Sequence, residues 1–114
     1  MKRILFINPS LRLKSPTKFL PVGIASVMTY LDSHNIEFDF LDVDISELED
    51  NQIEDYLDRN RYDIILSGSI VTHYKWMKWL TDTVKKYNKN SIVIIGNSVA
   101  GSIPKLFLEN SSAD

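Results

Sequence analysis

Short apolar runs alternate with helical patterns along this 114-residue sequence, and that alternation constrains its fold more than any other feature. Four runs rich in Ile, Leu, Val and Phe are predicted strands, at residues 3–7, 37–41, 63–66 and 92–95. Three of them are almost continuously apolar, as strands buried on both faces of a parallel sheet are. The second run is only half apolar, which places it nearer an edge of the sheet.

A helical pattern follows each predicted strand. The first helix is predicted to begin near Pro21, a residue suited to a first turn. A possible capping box at residues 46–49 precedes the second helix, and the fourth is predicted to run from Pro104 to Asn110. Apolar residues at helical spacing mark the four helices: Leu20, Ile24, Val27 and Leu31; Ile53, Tyr56 and Leu57; Trp76, Leu80, Val84 and Tyr87; Ile103, Leu106 and Phe107. This order predicts an α/β fold, a doubly wound parallel sheet in a flavodoxin-like three-layer sandwich.

Composition narrows the function classes for a single domain over residues 1–114. The net charge of −2 gives no nucleic-acid footprint, and no apolar stretch reaches the roughly 18 residues that span a bilayer. Cysteine is absent, which fits a reducing cytoplasm and excludes a thiolate metal site or an iron–sulfur cluster within these residues. Because such sheets commonly have five or more strands, we expect this sequence to be a fragment lacking its last strand, and the alternative is a complete four-stranded protein.

The ligand edge of such a sheet lies beyond the carboxyl ends of its strands. Four connections are predicted there, at residues 8–19, 42–48, 67–73 and 96–102, and the first is much longer than the usual 4 to 6 residues or so. The third and fourth are rich in Ser, Gly and Asn, and small residues let a bulky ligand approach the backbone. Ordinary turn chemistry explains each segment alone equally well.

Several known ligand-binding and catalytic motifs are missing from the connections at this edge. The first connection has no glycine, which excludes a dinucleotide site, and no triad or metal-ligand spacing appears. His34 is expected at a solvated helix end, while His73 is either functional or an exposed helix-start residue. Asp42 and Asp44 are interpreted as turn and cap residues.

Several short motifs lie at the ends of the predicted strands and helices. Asn8-Pro9 is an Asn-Pro pair after the first strand, Pro21-Val22-Gly23 is a Pro-x-Gly helix start, and Asp42 closes the second strand. A Ser-rich turn begins at Ser67, and Gly96 is followed by Ser-x-Pro at Ser102. In these motifs the sequence resembles the cobalamin-binding N-terminal domain of radical S-adenosylmethionine enzymes.

The resemblance implies a module that holds cobalamin and serves a methyltransferase or related radical enzyme. The cofactor-binding residues that it implies are Asn8, Pro9, Ser10, Ser67, Gly68, Ser69, Gly96, Asn97 and Ser98. The first three would lie under or beside the corrin ring, and the others would line the slot for the nucleotide tail. The motif that supplies an axial histidine in other cobalamin proteins is absent, and Asn97 stands where the family has a second glycine.

The iron–sulfur cluster and S-adenosylmethionine would then belong to a downstream catalytic domain, so this chain alone is not expected to catalyse a reaction. Arg12, Lys14 and Lys18 would either touch phosphate or propionamide groups or form a solvated loop. One alternative function is a degenerate, cofactor-free docking domain with an exposed surface of Tyr74, Trp76 and Trp79. Another is a site for a different phosphate-bearing ligand.

Overall fold

The computed structural model describes residues 2–12, 14–18 and 20–114, and its sheet has four parallel strands. Phe19, at the end of the predicted first connection, lies outside the described residues. The strands are β1 (Ile4–Asn8), β2 (Asp39–Asp42), β3 (Ile64–Gly68) and β4 (Ile92–Gly96), in the spatial order β2-β1-β3-β4. The predicted parallel α/β fold is therefore confirmed, and the half-apolar second strand does lie at an edge.

Five helices connect or follow the strands in the described ranges. They are α1 (Val22–Ser33), α2 (Asp50–Arg59), α3 (Tyr74–Tyr87), α4 (Asn97–Gly101) and α5 (Pro104–Asn110), and a 3-10 turn (Val71–His73) precedes α3. The short α4 was not predicted, because its residues have the composition of a loop. The predicted capping box was wrong in position. The box is formed by Glu49 and Gln52, with the Glu49 N–H donating to Gln52 Oε1 at 2.8 Å.

One face of the sheet, here called the closed face, carries the hydrophobic core. Alternate residues of a strand point to the same face, so the paired residues Leu5, Ile65 and Val93 lie side by side on it. They form one buried cluster with side chains of α2, α3 and α5. The members of that cluster from these helices are Ile53, Leu57, Met77, Leu80, Val84 and Phe107.

The opposite face, here called the open face, meets α1. Phe6, Leu66 and Ile94 are paired across β1, β3 and β4 on this side and border a cavity with α1. Ile92 and Ile94 remain 52% and 48% exposed, whereas every residue of the closed-face cluster is buried. The molecule is thus three-layered, with unequal cover on its two faces.

The outer strand β4 contacts the last residue of the chain. The Asp114 N–H donates to the Val93 carbonyl at 2.9 Å, and the Asp114 carboxylate accepts the Val93 N–H at the same distance. Lys85 pairs with that carboxylate at 2.6 Å. Among the described residues, no helix combines the length and apolar character needed to cross a bilayer.

Candidate functional site

Two adjoining cavities lie along the carboxyl ends of the strands. The first has a volume of about 410 Å³ and is here called the polar cleft, after the amide, hydroxyl and charged side chains in its lining. It is lined by Asn8, Pro9, Leu11, Arg12, Ser15, Thr17, Pro21, Asp44, Gly68, Ser69, Ile70 and Asn97. The second has a volume of about 330 Å³ and is here called the apolar groove. It is lined by Phe6, Pro21, Gly23, Ile24, Val27, Leu66, Ser67, Gly68, Ile94, Gly96 and Asn97. Because Pro21, Gly68 and Asn97 line both, the two cavities form one continuous rim site.

The polar cleft is built where the chain leaves β1 and β2. The Asn8 amide donates to Asp42 Oδ1 at 3.0 Å, which joins the ends of these two strands. The same Asp42 oxygen accepts the backbone N–H groups of Asp44 and Ile45, each at 3.1 Å. Asp42 is therefore a turn residue, as expected, and it fixes the shape of the cleft wall without lining the cleft.

Asp44 is the buried carboxylate of the cleft. Its side chain accepts the Ser10 hydroxyl at 2.8 Å and lies 3.6 Å from the Lys18 ammonium. It is 6% exposed and lines the polar cleft, so the interpretation of this residue as an ordinary turn aspartate was incomplete. The position of Lys18 also differs from what was expected, which was a solvated side chain or one that touches the ligand. Its ammonium group is paired with Asp44 and Glu47, and its side chain is mostly buried.

Three glycines give the groove its width. A Cβ atom on Gly68 would lie 2.9 Å from the Gly96 carbonyl oxygen, so β3 and β4 approach closely only because Gly68 has no side chain. Gly23 and Gly96 both line the groove, and no atom lies within 4 Å of the place where their Cβ atoms would be. Side chains there would project into the groove, so these two glycines keep it open.

Asn97 borders both cavities without closing the groove. Its backbone is in the left-handed region (φ 63°), which asparagine tolerates better than most residues. Its Oδ1 accepts the Ser98 N–H at 2.7 Å, which turns the side chain back on its own helix α4. The groove is still about 330 Å³ beside this exposed residue.

Seven of the nine cofactor-binding residues that were predicted border this site. Those around the cavities are Asn8, Pro9, Ser67, Gly68, Ser69, Gly96 and Asn97. Ser10 and Ser98 line neither cavity. The Ser10 hydroxyl donates to Asp44, and Ser98 Oγ accepts the Val71 N–H at 3.0 Å, so both support the walls from behind.

The contribution of α1 was missed at the level of sequence. Gly23, Ile24 and Val27 form one wall of the apolar groove. Gly23 lies in the first turn of α1, and the Pro-x-Gly motif that contains it was the available signal of a special position. Arg12, whose role was left open, borders the polar cleft and is exposed.

The two histidines lie outside both cavities. His73 Nδ1 is 3.0 Å from Ser69 Oγ, and its ring stacks on Trp76 with centroids 5.1 Å apart. Burial lowers the pKa of His73, which favours the neutral imidazole. His34 is exposed at the end of α1, as expected, with Nδ1 2.9 Å from the Tyr30 carbonyl.

The aromatic surface expected of a docking domain is not exposed. Tyr74, Trp76 and Trp79 are half-buried and pack against the closed-face cluster. In the described ranges, no group of three or more His, Cys, Asp or Glu side chains is placed to hold a metal ion.

Comparison with solved structures identifies the same architecture in larger enzymes. The cobalamin-dependent S-adenosylmethionine radical enzyme OxsB, with aqua-cobalamin and S-adenosylmethionine bound, superimposes with a TM-score of 0.81 at 20% identity over 96% of this chain. The radical S-adenosylmethionine methyltransferase TsrM from Kitasatospora setae, with cobalamin and a [4Fe-4S] cluster bound, gives a TM-score of 0.74 at 14% identity over 95% of this chain. The chain spans only 16% and 20% of those two proteins.

No curated protein matches the sequence significantly. The sequence profile of the B12 binding domain, however, matches residues 10–114, nearly the whole chain. This match and the shared fold confirm the resemblance drawn from the Asn-Pro, Pro-x-Gly and Ser-rich motifs. The chain belongs to the B12-binding domain family.

Proposed function

We propose that this chain binds cobalamin at the rim site, with the corrin ring over the polar cleft and the nucleotide tail in the apolar groove. The observation that carries the proposal is the pairing of two connected cavities at the carboxyl edge of the sheet, one with amide, hydroxyl and charged side chains in its lining and the other largely apolar. Cobalamin has a matching division, since its ring carries many amide groups and its tail ends in a flat aromatic base. The site therefore fits the ligand class of the family.

The groove is suited to the tail because its walls are apolar and its mouth is open. Phe6, Leu66 and Ile94 provide the sheet wall, and Ile24 provides part of the helix wall. Gly96 leaves space where a side chain would project. A planar base inserted here would cover apolar surface that is now half exposed on Ile94.

The polar cleft is suited to the ring because hydrogen-bonding groups surround it. Ser15 and Thr17 offer hydroxyl groups, Asn97 offers the N–H groups of its amide, and Arg12 offers a cation for phosphate or propionamide oxygens. Bound cobalamin would supply a cobalt centre able to carry an alkyl group. Residues 8–12 contain no histidine, and neither His34 nor His73 lines the cleft, so we infer that the chain provides no axial imidazole.

The module is proposed to work within a larger radical S-adenosylmethionine enzyme, of methyltransferase or related type. The small share of OxsB and TsrM that the chain spans supports this proposal. The half-exposed Ile92 and Ile94 support it further, because such apolar surface is usually covered in a complete α/β sheet. A downstream domain would supply the cluster and S-adenosylmethionine.

The decisive experiment compares two glycine substitutions in a titration with hydroxocobalamin. Gly96 and Gly101 both have open space around an added Cβ, but only Gly96 lines the groove. Gly96→Leu is expected to weaken binding more than about tenfold, or roughly 1.4 kcal/mol, whereas Gly101→Leu should bind as the natural chain does. Changes in the corrin absorption bands measure the affinity.

An unchanged corrin spectrum with the natural chain at high protein concentration would contradict cobalamin binding and favour the cofactor-free docking domain. Equal affinity in both variants would contradict the placement of the tail. A thermal-shift screen with other phosphate-bearing small molecules tests the remaining alternative, since a ligand selective for the folded state raises the melting temperature.

A further inference from the structure

The loop between β1 and α1, here called the long loop (the described residues 9–12, 14–18, 20 and 21), is held against the turn after β2 by contacts near both of its ends. Near the start, the Ser10 hydroxyl donates to Asp44 at 2.8 Å. Near the end, the Lys18 ammonium lies 3.6 Å from the same Asp44 carboxylate and 3.4 Å from Glu47. Asp44 thus contacts two points of the loop that are eight residues apart in sequence.

Burial of both partners distinguishes this ion pair from the other salt bridges among the described residues. The Lys18 and Asp44 side chains are 21% and 8% exposed, whereas the Lys105–Glu109 pair on α5 is 88% and 60% exposed. Exposed pairs contribute little, but breaking a buried pair leaves a desolvated charge without its partner. The Lys18–Asp44 pair is therefore the one expected to control local structure.

One described residue of the long loop has an unfavourable backbone conformation, which external contacts help to maintain. Lys14 has φ 66°, a left-handed conformation that residues with side chains rarely adopt. A turn with the Ser15 N–H donating to the Arg12 carbonyl at 3.1 Å accompanies it. Arg12 and Ser15 line the polar cleft, so the shape of this segment decides the shape of the cleft.

We propose that Lys18 and Asp44 are positioning residues, whose ion pair holds the long loop in its cleft-forming shape before any ligand binds. Lys18 lines neither cavity and acts through the loop. The consequence for cobalamin binding rests on the proposed function. The site is preformed, so cobalamin can associate without waiting for the loop to become ordered. The loop order itself is independent of which ligand binds.

Limited proteolysis of the ligand-free protein tests the loop directly. Trypsin can cleave after the exposed Arg12 and Lys14. In Lys18→Met, cleavage at these two positions should accelerate by about tenfold or more, because cleavage follows the population of the open loop. Lys105→Met, which removes the exposed pair on α5, should leave the cleavage rate unchanged.

Two further variants separate positioning from general destabilisation. Lys18→Arg should restore slow cleavage, since a guanidinium can reach both carboxylates. The double variant Lys18→Met/Asp44→Asn removes both charges and should be cleaved as fast as Lys18→Met alone. In both variants, amide hydrogen exchange in the strands of the sheet should stay as in the natural chain. Equal cleavage rates for Lys18→Met and the natural chain would overturn the proposal, as would faster exchange throughout the sheet.

Stopped-flow mixing with hydroxocobalamin then connects the loop to binding. Lys18→Met should lower the association rate by about tenfold and change the dissociation rate less, as expected when only a fraction of molecules has the competent loop. An unchanged association rate in a variant whose loop opens would overturn the role in binding. If the natural chain binds no hydroxocobalamin, the proposed function fails, while proteolysis still decides the loop inference.

Discussion

The two faces of the sheet are formed by alternate residues of the same strands, yet they are packed very differently. Ile65 on the closed face is 1% exposed and belongs to the buried cluster that includes side chains of three helices, whereas Ile94 on the open face is 48% exposed beside α1. Both are isoleucines on neighbouring strands. The difference therefore arises from what covers the strands and not from the strands themselves.

This contrast separates the part of the molecule that stabilises the fold from the part left available to a ligand or another domain. The closed face buries the side chains of α2, α3 and α5 in one cluster. The open face keeps a groove that continues into the polar cleft at the carboxyl edge. An apolar surface left uncovered in this way favours a ligand or another domain as its cover.

The largest expected effect comes from shortening matched side chains on the two faces. Ile65→Ala should lower the free energy of unfolding by about 2–5 kcal/mol, because it leaves a cavity in the core. Ile94→Ala should lower it by less than about 1 kcal/mol, since half of that side chain is already in water. Urea denaturation measures both values. Similar losses would show that the two faces are equally packed and would contradict the comparison.

Two glycine substitutions should shift stability in opposite directions. Gly68→Ala should lower the free energy of unfolding by about 1–3 kcal/mol, because its Cβ would meet the Gly96 carbonyl oxygen. Gly23→Ala on the open face should raise it by up to about 1 kcal/mol, since alanine favours the helix and meets no atom. Thermal unfolding followed by circular dichroism gives both signs. A stabilising Gly68→Ala would disprove the close approach of β3 and β4.

The smallest effect is a pH dependence at the margin of the closed face. Burial lowers the pKa of His73, so the unfolded chain binds a proton more readily than the folded one. The contribution is fully present above the ordinary histidine value of 6.5, and stability should fall as pH drops below it. Melting temperatures between pH 5 and 7 should therefore decline less in His73→Gln than in the natural chain. An unchanged decline in His73→Gln would contradict the burial of His73.

The sequence allowed the strands and most helices to be predicted because burial leaves a periodic pattern. The runs at β1, β3 and β4 were located to within one or two residues, and Pro104 and Asn110 bounded α5 as predicted. Family motifs led to the rim residues because small residues after strands admit a ligand. These parts depend on local chemistry, which a single sequence records.

The remainder depends on distant contacts that periodicity does not record. An apolar residue such as Val27 prefers burial, but its sequence context does not show whether another element covers it. The pairing of Lys18 with Asp44 joins two loops 26 positions apart, and loop charges are usually solvated. The short helix α4 begins at Asn97 in a left-handed conformation, which residue composition alone does not predict.

The close approach of Gly68 to Gly96 has a consequence for how such a module can diverge. A Cβ on Gly68 would meet main-chain atoms of Gly96, so the spacing of β3 and β4 at this point depends on the absence of a side chain at Gly68. Helices and surface residues can be replaced while that spacing stays the same. A single methyl group at Gly68 would force the two strands apart, so the tolerance of the scaffold ends at this position.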